Sequence, residues 1–438
     1  MPCFGCHFSL YFHECVPFIR IMSSRNQVES PSNLKGRHEA HLISWMRLTA
    51  CLLSIVIVLS GCWSRRELND IAIAEGVGID VTDGQFELTV QIVNPGSVTK
   101  AKAEHEMPII VYSSKGVTLN EAVRRLTSSI SRNIYFAHIR ILVISEELAS
   151  KGIVKAMDYL MRGSEFRTDF DVVIARESTA KDLLSVMTPL EKVPANYMFN
   201  SLEAAKKEWT SAVTIKLDQL SSGLVTPGKS SVISGIQIIG DPASGTNNSN
   251  INYTTPRVRL QYSGNAVIKK DKLVGWLNEK ESRAYSVITN QSKRSSIHLV
   301  CPEGGNIGID IARVKSKIYA VVKNDKPEIF IETRTEGNVS DVECQINLFK
   351  TDTFAYLDKQ YVAFLKSNME NTIKKTQQLG TDIYGFGEAV HRADPKYWNK
   401  VKHNWEPIFK QVEPHLYIIA KVRGAGTMGD SVVNDVKE

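Results

Sequence analysis

The residues able to do chemistry are few and scattered. Of seven cysteines, Cys3, Cys6, Cys15, Cys51 and Cys62 lie at or before position 62, and only Cys301 and Cys344 lie beyond it. The bulk of the chain is therefore not a disulfide framework, and the sequence leaves open whether Cys301 and Cys344 pair. Cys3-Phe4-Gly5-Cys6-His7 has the spacing of a haem-attachment string. It lies upstream of an export signal, in a segment that a processed chain lacks, so it reads as a chance match. The later histidines, His105, His138, His298, His391, His403 and His415, include no i, i+4 pair and have no nearby cysteine, so no metal site is expected. His138 reads as a packed histidine beside a strand. Gly76-x-Gly78 lacks the third glycine of a dinucleotide turn and reads as a simple turn. Gly304-Gly305-x-x-Gly308 is a loop with no helix behind it to hold a phosphate. Ser97-Val98-Thr99-Lys100 matches S-x-x-K without a companion K-T-G string, and there is no G-x-S-x-G elbow. Glu279, Glu281 and Arg283 read as a capped, salt-bridged helix face. Neither an enzyme nor a cofactor is expected.

One cysteine stands apart. Arg47 precedes the uncharged stretch Leu48 to Val58, and Leu59-Ser60-Gly61-Cys62 follows it. A cationic start, a short apolar segment and small residues before a cut site are the parts of a secretory signal. The stretch is shorter than the roughly 20 apolar residues of a membrane-spanning helix. Its ending resembles a bacterial lipobox, in which the cysteine thiol is diacylated and the chain is then cut before it. Residues 46–61 are thus expected to be a lipoprotein signal peptide and Cys62 the lipidated residue. Two or three acyl chains anchor a protein stably. Residues 1–45 have no place in this scheme, and translation is expected to start at Met46, with Met22 as the lesser alternative, making 1–45 a non-native extension.

Composition frames the rest. With 438 residues, 43% hydrophobic and 23% charged, the chain is ordinary globular material. At roughly 100–200 residues per domain, two or three domains are expected. The net charge of +6 suits an anionic membrane surface as well as nucleic acid and decides little. No basic stripe interleaved with aromatics stands out, and no nucleic-acid partner is expected.

The elements follow from periodicity. Strands are expected over 86–93, 139–145 and 170–175, and helices after the Thr118-x-x-Glu121 capping box, over 153–161 and after Ser178. This alternation makes 62–190 an αβ domain. Residues 191–260 read as a small middle domain, with a helix near 197–209, a strand over 232–239 and a mobile, turn-rich loop over 241–250. Residues 261–426 form a C-terminal domain and 427–438 a tail. The C-terminal domain holds a hairpin turning at Lys270-Asp271, a helix capped by Asn278-x-x-Glu281, strands at 296–301, 308–323, 327–334 and 340–348, a long helix over 352–378, a last helix from Pro395, and a closing strand over 416–422.

Four groups of residues then converge on one family. They are Cys62-Trp63 with Arg66-Glu67-Leu68-Asn69 and Gly78-Ile79-Asp80; Thr118 to Ala122 with Tyr135 to Arg140 and Arg162 to Arg167; Leu273 to Leu277 with Glu281-Ser282-Arg283; and Asp382-Ile383-Tyr384-Gly385-Phe386-Gly387-Glu388 with Trp398 and Trp405. Over 59–426 the chain resembles the Ger(x)C family, the lipoprotein C subunit of nutrient germinant receptors in endospore-forming bacteria. The resemblance implies an α+β fold of three domains, each a mainly antiparallel or mixed sheet packed with helices. It also implies a non-catalytic protein on the outer face of the spore inner membrane, working beside integral membrane A and B subunits. A docking face is expected around Trp276, Glu281 and Arg283, with Trp276 packing its hairpin onto the helix as the alternative. The rival function is a solute-binding lipoprotein of a membrane transporter, which needs two lobes around a cleft.

Overall fold

The computed structural model describes residues 42–54, 70–94, 107–302 and 304–424. Residues 42–54 form a helix belonging to one unit, and the body from Glu67 onward is a second. Among the described residues, no helix is long and apolar enough to cross a membrane.

The body is built on two sheets. The larger joins nine strands. β1 (Ile71–Thr82), β5 (Ile141–Ser145), β6 (Asp171–Ala175) and β7 (Val232–Ile239) run parallel at its centre. β2 (Gln85–Val93) and β3 (Ile109–Gly116) extend one side antiparallel, β8 (Arg259–Lys269) and β9 (Lys272–Leu277) extend the other, and the short β4 (Asn133–Tyr135) pairs with the start of β1. Every residue of β5 and β6 is buried, as a parallel strand covered on both faces requires. Leu142, Ile144, Val172 and Ile174 face the helices Leu119–Leu126 and Val154–Arg162. Ile141, Val143 and Val173 face Ala180–Ser185 and Pro194–Ala204.

The smaller sheet has the order β10 (Ser295–Val300), β11 (Asn306–Lys323), β12 (Lys326–Val342) and β13 (His415–Val422). β11 and β12 meet at Asn324 and Asp325, both at positive φ, as a two-residue hairpin turn requires. One face carries the 29-residue helix Thr351–Leu379, which buries Leu357, Tyr361, Leu365, Met369 and Ile373 at helical spacing. A disulfide joins Cys301 to Cys344 and so ties the β10–β11 connection to the segment after β12.

The α+β class holds, with two sheets among the described residues where three were expected. Residues 191–260 do not close a sheet of their own. β7 is hydrogen-bonded to β6 on one side and β8 on the other, and the expected boundary at 260/261 falls inside β8. The 241–250 loop is tied down. The Asn250 amide donates to the carbonyls of Met187 and Val258, both at 2.9 Å, and Val258 N–H donates back to it at 2.9 Å. Gly76 and Gly78 do not form a turn; they lie within β1. A Cβ on either would come within 3 Å of Leu184, so the strand is thin there to admit a helix. The segments 327–334 and 340–348, expected as two strands, are one strand as far as Val342. The last helix breaks after Val401 and resumes at Trp405.

Candidate functional site

Cys62 lies outside the described residues, as do Cys3 to His7, Ser97 to Lys100 and His105. The site candidates that can be placed are Trp276, Glu281 and Arg283, and the turn from Asp382 to Glu388.

Trp276 sits on β9 opposite Ala266. Its indole lies over Gly235 of β7, which has no room for a Cβ beneath it. Its Nε1–H donates to Glu146 Oε1 at 2.7 Å, and the Arg176 guanidinium lies 4.9 Å from its ring centre. Glu281 closes a capping box with Asn278: Glu281 N–H donates to Asn278 Oδ1 at 3.0 Å, and Asn278 N–H donates to Glu281 Oε2 at 2.8 Å. That same oxygen accepts Lys375 Nζ at 2.6 Å, which fixes the helix Glu279–Ile288 to the long helix. Arg283 stacks over Trp209 at 4.8 Å and donates to the Ser296 carbonyl at 2.8 Å. Burial pulls its pKa below the ordinary arginine value. Glu281 and Arg283 are two apart on a helix and do not face each other. All three side chains are half-buried and each joins its element to a different neighbour. They do not converge on one patch. Trp276 packs against the β7 side of the large sheet, away from the helix that follows its hairpin.

Among the described residues, Asp382 is the most heavily used carboxylate. Its Oδ1 accepts the backbone N–H groups of Tyr384, Gly385 and Phe386 at 3.1, 2.9 and 3.1 Å. Its Oδ2 accepts Gly387 N–H at 2.8 Å and Trp405 Nε1–H at 3.0 Å. Gly385 takes φ 78° to turn the chain around this carboxylate, and the helix Phe386–Ala393 begins there. Asp382 thus caps a helix that has no side-chain cap of its own, and it holds Trp405 against Trp398, whose rings lie 5.4 Å apart. Burial pushes its pKa up to about 6, while the hydrogen bonds from Gly387, Trp405, Phe386 and Gly385 pull the other way. The carboxylate is sealed and saturated, an arrangement for holding backbone rather than moving protons. The sequence flagged this string by family likeness and gave no reason for its aspartate.

Asp80 repeats the device. It is buried, its pKa is raised to about 6 by that burial, and it accepts Ala180 and Lys181 N–H at 2.8 and 3.1 Å across 100 residues of sequence. An open polar cleft of about 450 Å³ lies between Asp218, Ser222, Lys229, Tyr285, Gln291 and Glu388. His138 packs beside Tyr135 at 5.8 Å. Among the described residues, no group of three or more His, Cys, Asp or Glu side chains could hold a metal ion.

Residues 64–238 match the family described as spore germination protein N-terminal domain, and 263–426 the family described as spore germination B3/GerAC like, C-terminal. Spore germination protein KC of Bacillus subtilis (strain 168) is 30% identical over 405 residues, covering 89% of this chain and 99% of that protein. Spore germination protein B3 of the same organism is 24% identical over 383 residues, 86% of this chain and 96% of that one. The crystal structure of the GerBC protein aligns with a TM-score of 0.52 at 21% identity, over 82% of this chain and 99% of that one, and shares the fold. The chain belongs to the Ger(x)C family of spore germination proteins. The first matched region ends in β7 and the second begins within β8, so the large sheet crosses from one to the other.

Proposed function

We propose that this protein is the lipid-anchored, non-catalytic C subunit of a nutrient germinant receptor, held at the outer face of the spore inner membrane beside integral membrane A and B subunits. The observation that carries the reading is the match to spore germination protein KC, which runs through both regions and nearly the whole of that relative. Leu59-Ser60-Gly61-Cys62 after an apolar stretch supports acylation at Cys62. The Cys301–Cys344 disulfide supports a body facing an oxidising compartment. The non-catalytic role draws on the buried carboxylates of Asp80 and Asp382, each of which accepts backbone N–H groups on both oxygens. The anchor confines the body to two dimensions and raises its effective concentration near its partners.

A Cys62→Ala strain tests this. It is expected to release the protein from the membrane fraction and to weaken nutrient-triggered germination, while chemically forced germination proceeds. A Cys62→Ala protein that stays membrane-bound and fully active sinks the anchor. A deletion strain that germinates normally on nutrients sinks the receptor role and leaves the solute-binding reading.

A further inference from the structure

One face of the smaller sheet is open. In register across β11, β12 and β13, successive rows read Tyr319–Phe330–His415, Lys317–Glu332–Tyr417, Lys315–Arg334–Ile419 and Arg313–Glu336–Lys421. Side chains alternate between faces along each strand. The intervening Val314, Ile331 and Ala420 are buried beneath the sheet, so these rows point the other way. Tyr417 is 57% exposed and Ile419 51%. The rings form a flat stack: Tyr319 and Phe330 lie 5.1 Å apart with 9° between their planes, Phe330 and His415 4.9 Å, Phe330 and Tyr417 6.4 Å.

The charges around this stack do not cancel. Glu336 is paired with Arg423 at 2.8 Å, and Glu332 accepts the Tyr319 hydroxyl at 2.9 Å. Lys315, Lys317 and Arg334 have no carboxylate partner among the described residues, and Lys317 Nζ stands 5.5 Å over the Tyr319 ring. The result is a row of half-buried and exposed aromatic rings in which Arg313, Lys315, Lys317, Arg334 and Lys421 outnumber the carboxylates of Glu332 and Glu336. Tyr rings with an apolar body and a polar tip suit the headgroup level of a bilayer. Lys and Arg beside them suit anionic headgroups.

We propose that this face docks on an anionic phospholipid surface. The proposal rests on the reading above that the chain is exported and held at a bilayer, since stacked rings with cations on a sheet also suit single-stranded nucleic acid. A tethered body needs little intrinsic affinity, because the tether supplies the encounter. Docking would fix which side of the body faces the membrane, something acylation at one residue does not specify.

The test uses the acylated full chain in vesicles of phosphatidylcholine alone or with added phosphatidylglycerol. Hydroxyl-radical labelling reads Tyr319, Phe330 and Tyr417. Labelling is expected to fall on anionic vesicles and to return in high salt. Each basic residue near such a surface contributes about a fivefold factor in partitioning, so Lys315→Glu/Lys317→Glu/Arg334→Glu changes it by at least about a hundredfold and restores full labelling. The same residues changed to Gln serve if charge reversal disturbs the fold. Equal labelling on both vesicle types, or protection that survives the triple substitution, overturns the proposal. Protection by a single-stranded oligonucleotide but not by vesicles overturns it too. Flotation on neutral vesicles reports the anchor separately. If the chain does not float, the anchor is refuted, and labelling after mixing with excess anionic vesicles still decides the face.

Discussion

Replacing Asp382 by alanine should destabilise the C-terminal region by an amount that shrinks as pH rises. The carboxylate satisfies five donors, the N–H groups of residues 384–387 and the Trp405 indole. A buried donor left without a partner costs about 1–3 kcal/mol, so five cost at least about 5 kcal/mol. The carboxylate itself is buried against resistance. Its folded pKa of about 6 lies above the ordinary 3.8. Between these values the native protein holds a proton that the unfolded chain has released, so the wild type loses stability as pH rises through the window, by about 3 kcal/mol in all. The alanine variant has no such group. The gap between the two proteins should therefore be about 3 kcal/mol wider near pH 4 than above pH 7. Urea unfolding followed by tryptophan fluorescence at several pH values measures it. A gap below about 1 kcal/mol at pH 4, or one that widens toward neutral pH, refutes the reasoning.

Asp171 should behave in the opposite sense. Burial raises its pKa to about 6, and its Oδ1 has no hydrogen-bond partner. Asp171→Asn is thus expected to stabilise the protein by up to about 3 kcal/mol above pH 6 and to change nothing near pH 4; urea melts at both pH values decide it. Breaking the Cys301–Cys344 link, whose residues are 43 apart, by a Cys301→Ser/Cys344→Ser double substitution should cost about 4 kcal/mol through unfolded-chain entropy. The variant should also lose the melting shift that reductant produces in the wild type, and an unchanged melt would contradict the pairing.

Much of the fold was legible because its signals are local. The Thr118 and Asn278 caps, the hairpin at Lys270-Asp271 and the helical spacing of Leu357, Leu365, Met369 and Ile373 each lie within a few residues. What escaped depends on distant partners. Gly76 and Gly78 are strand glycines only because Leu184 packs on them. Helix Leu217–Val225 was hidden by Ser221-Ser222-Gly223, a turn-like composition that tertiary packing of Leu217 and Leu220 overrides. The Asp382 cap was unreadable because its carboxylate acts on the following turn and on an indole 23 residues away. Trp276 lies in a local hairpin, but the glutamate it bonds is 130 residues upstream. Conversely, the likeness that identified the family rested on strings such as Asp382 to Glu388, where several local constraints coincide.

The pairing of β7 with β8 bears on how the molecule can be dissected. A fragment ending near residue 260 would keep β7 but strip away the neighbour bonded along it from Val232↔Val267 to Ile239↔Arg259. It would leave a raw edge carrying Val232, Ile233 and Ile236, all buried in the intact chain. Such edges recruit other chains, so pieces cut at the expected 260/261 boundary would clump when made apart and would stay dispersed if made together and allowed to reassemble.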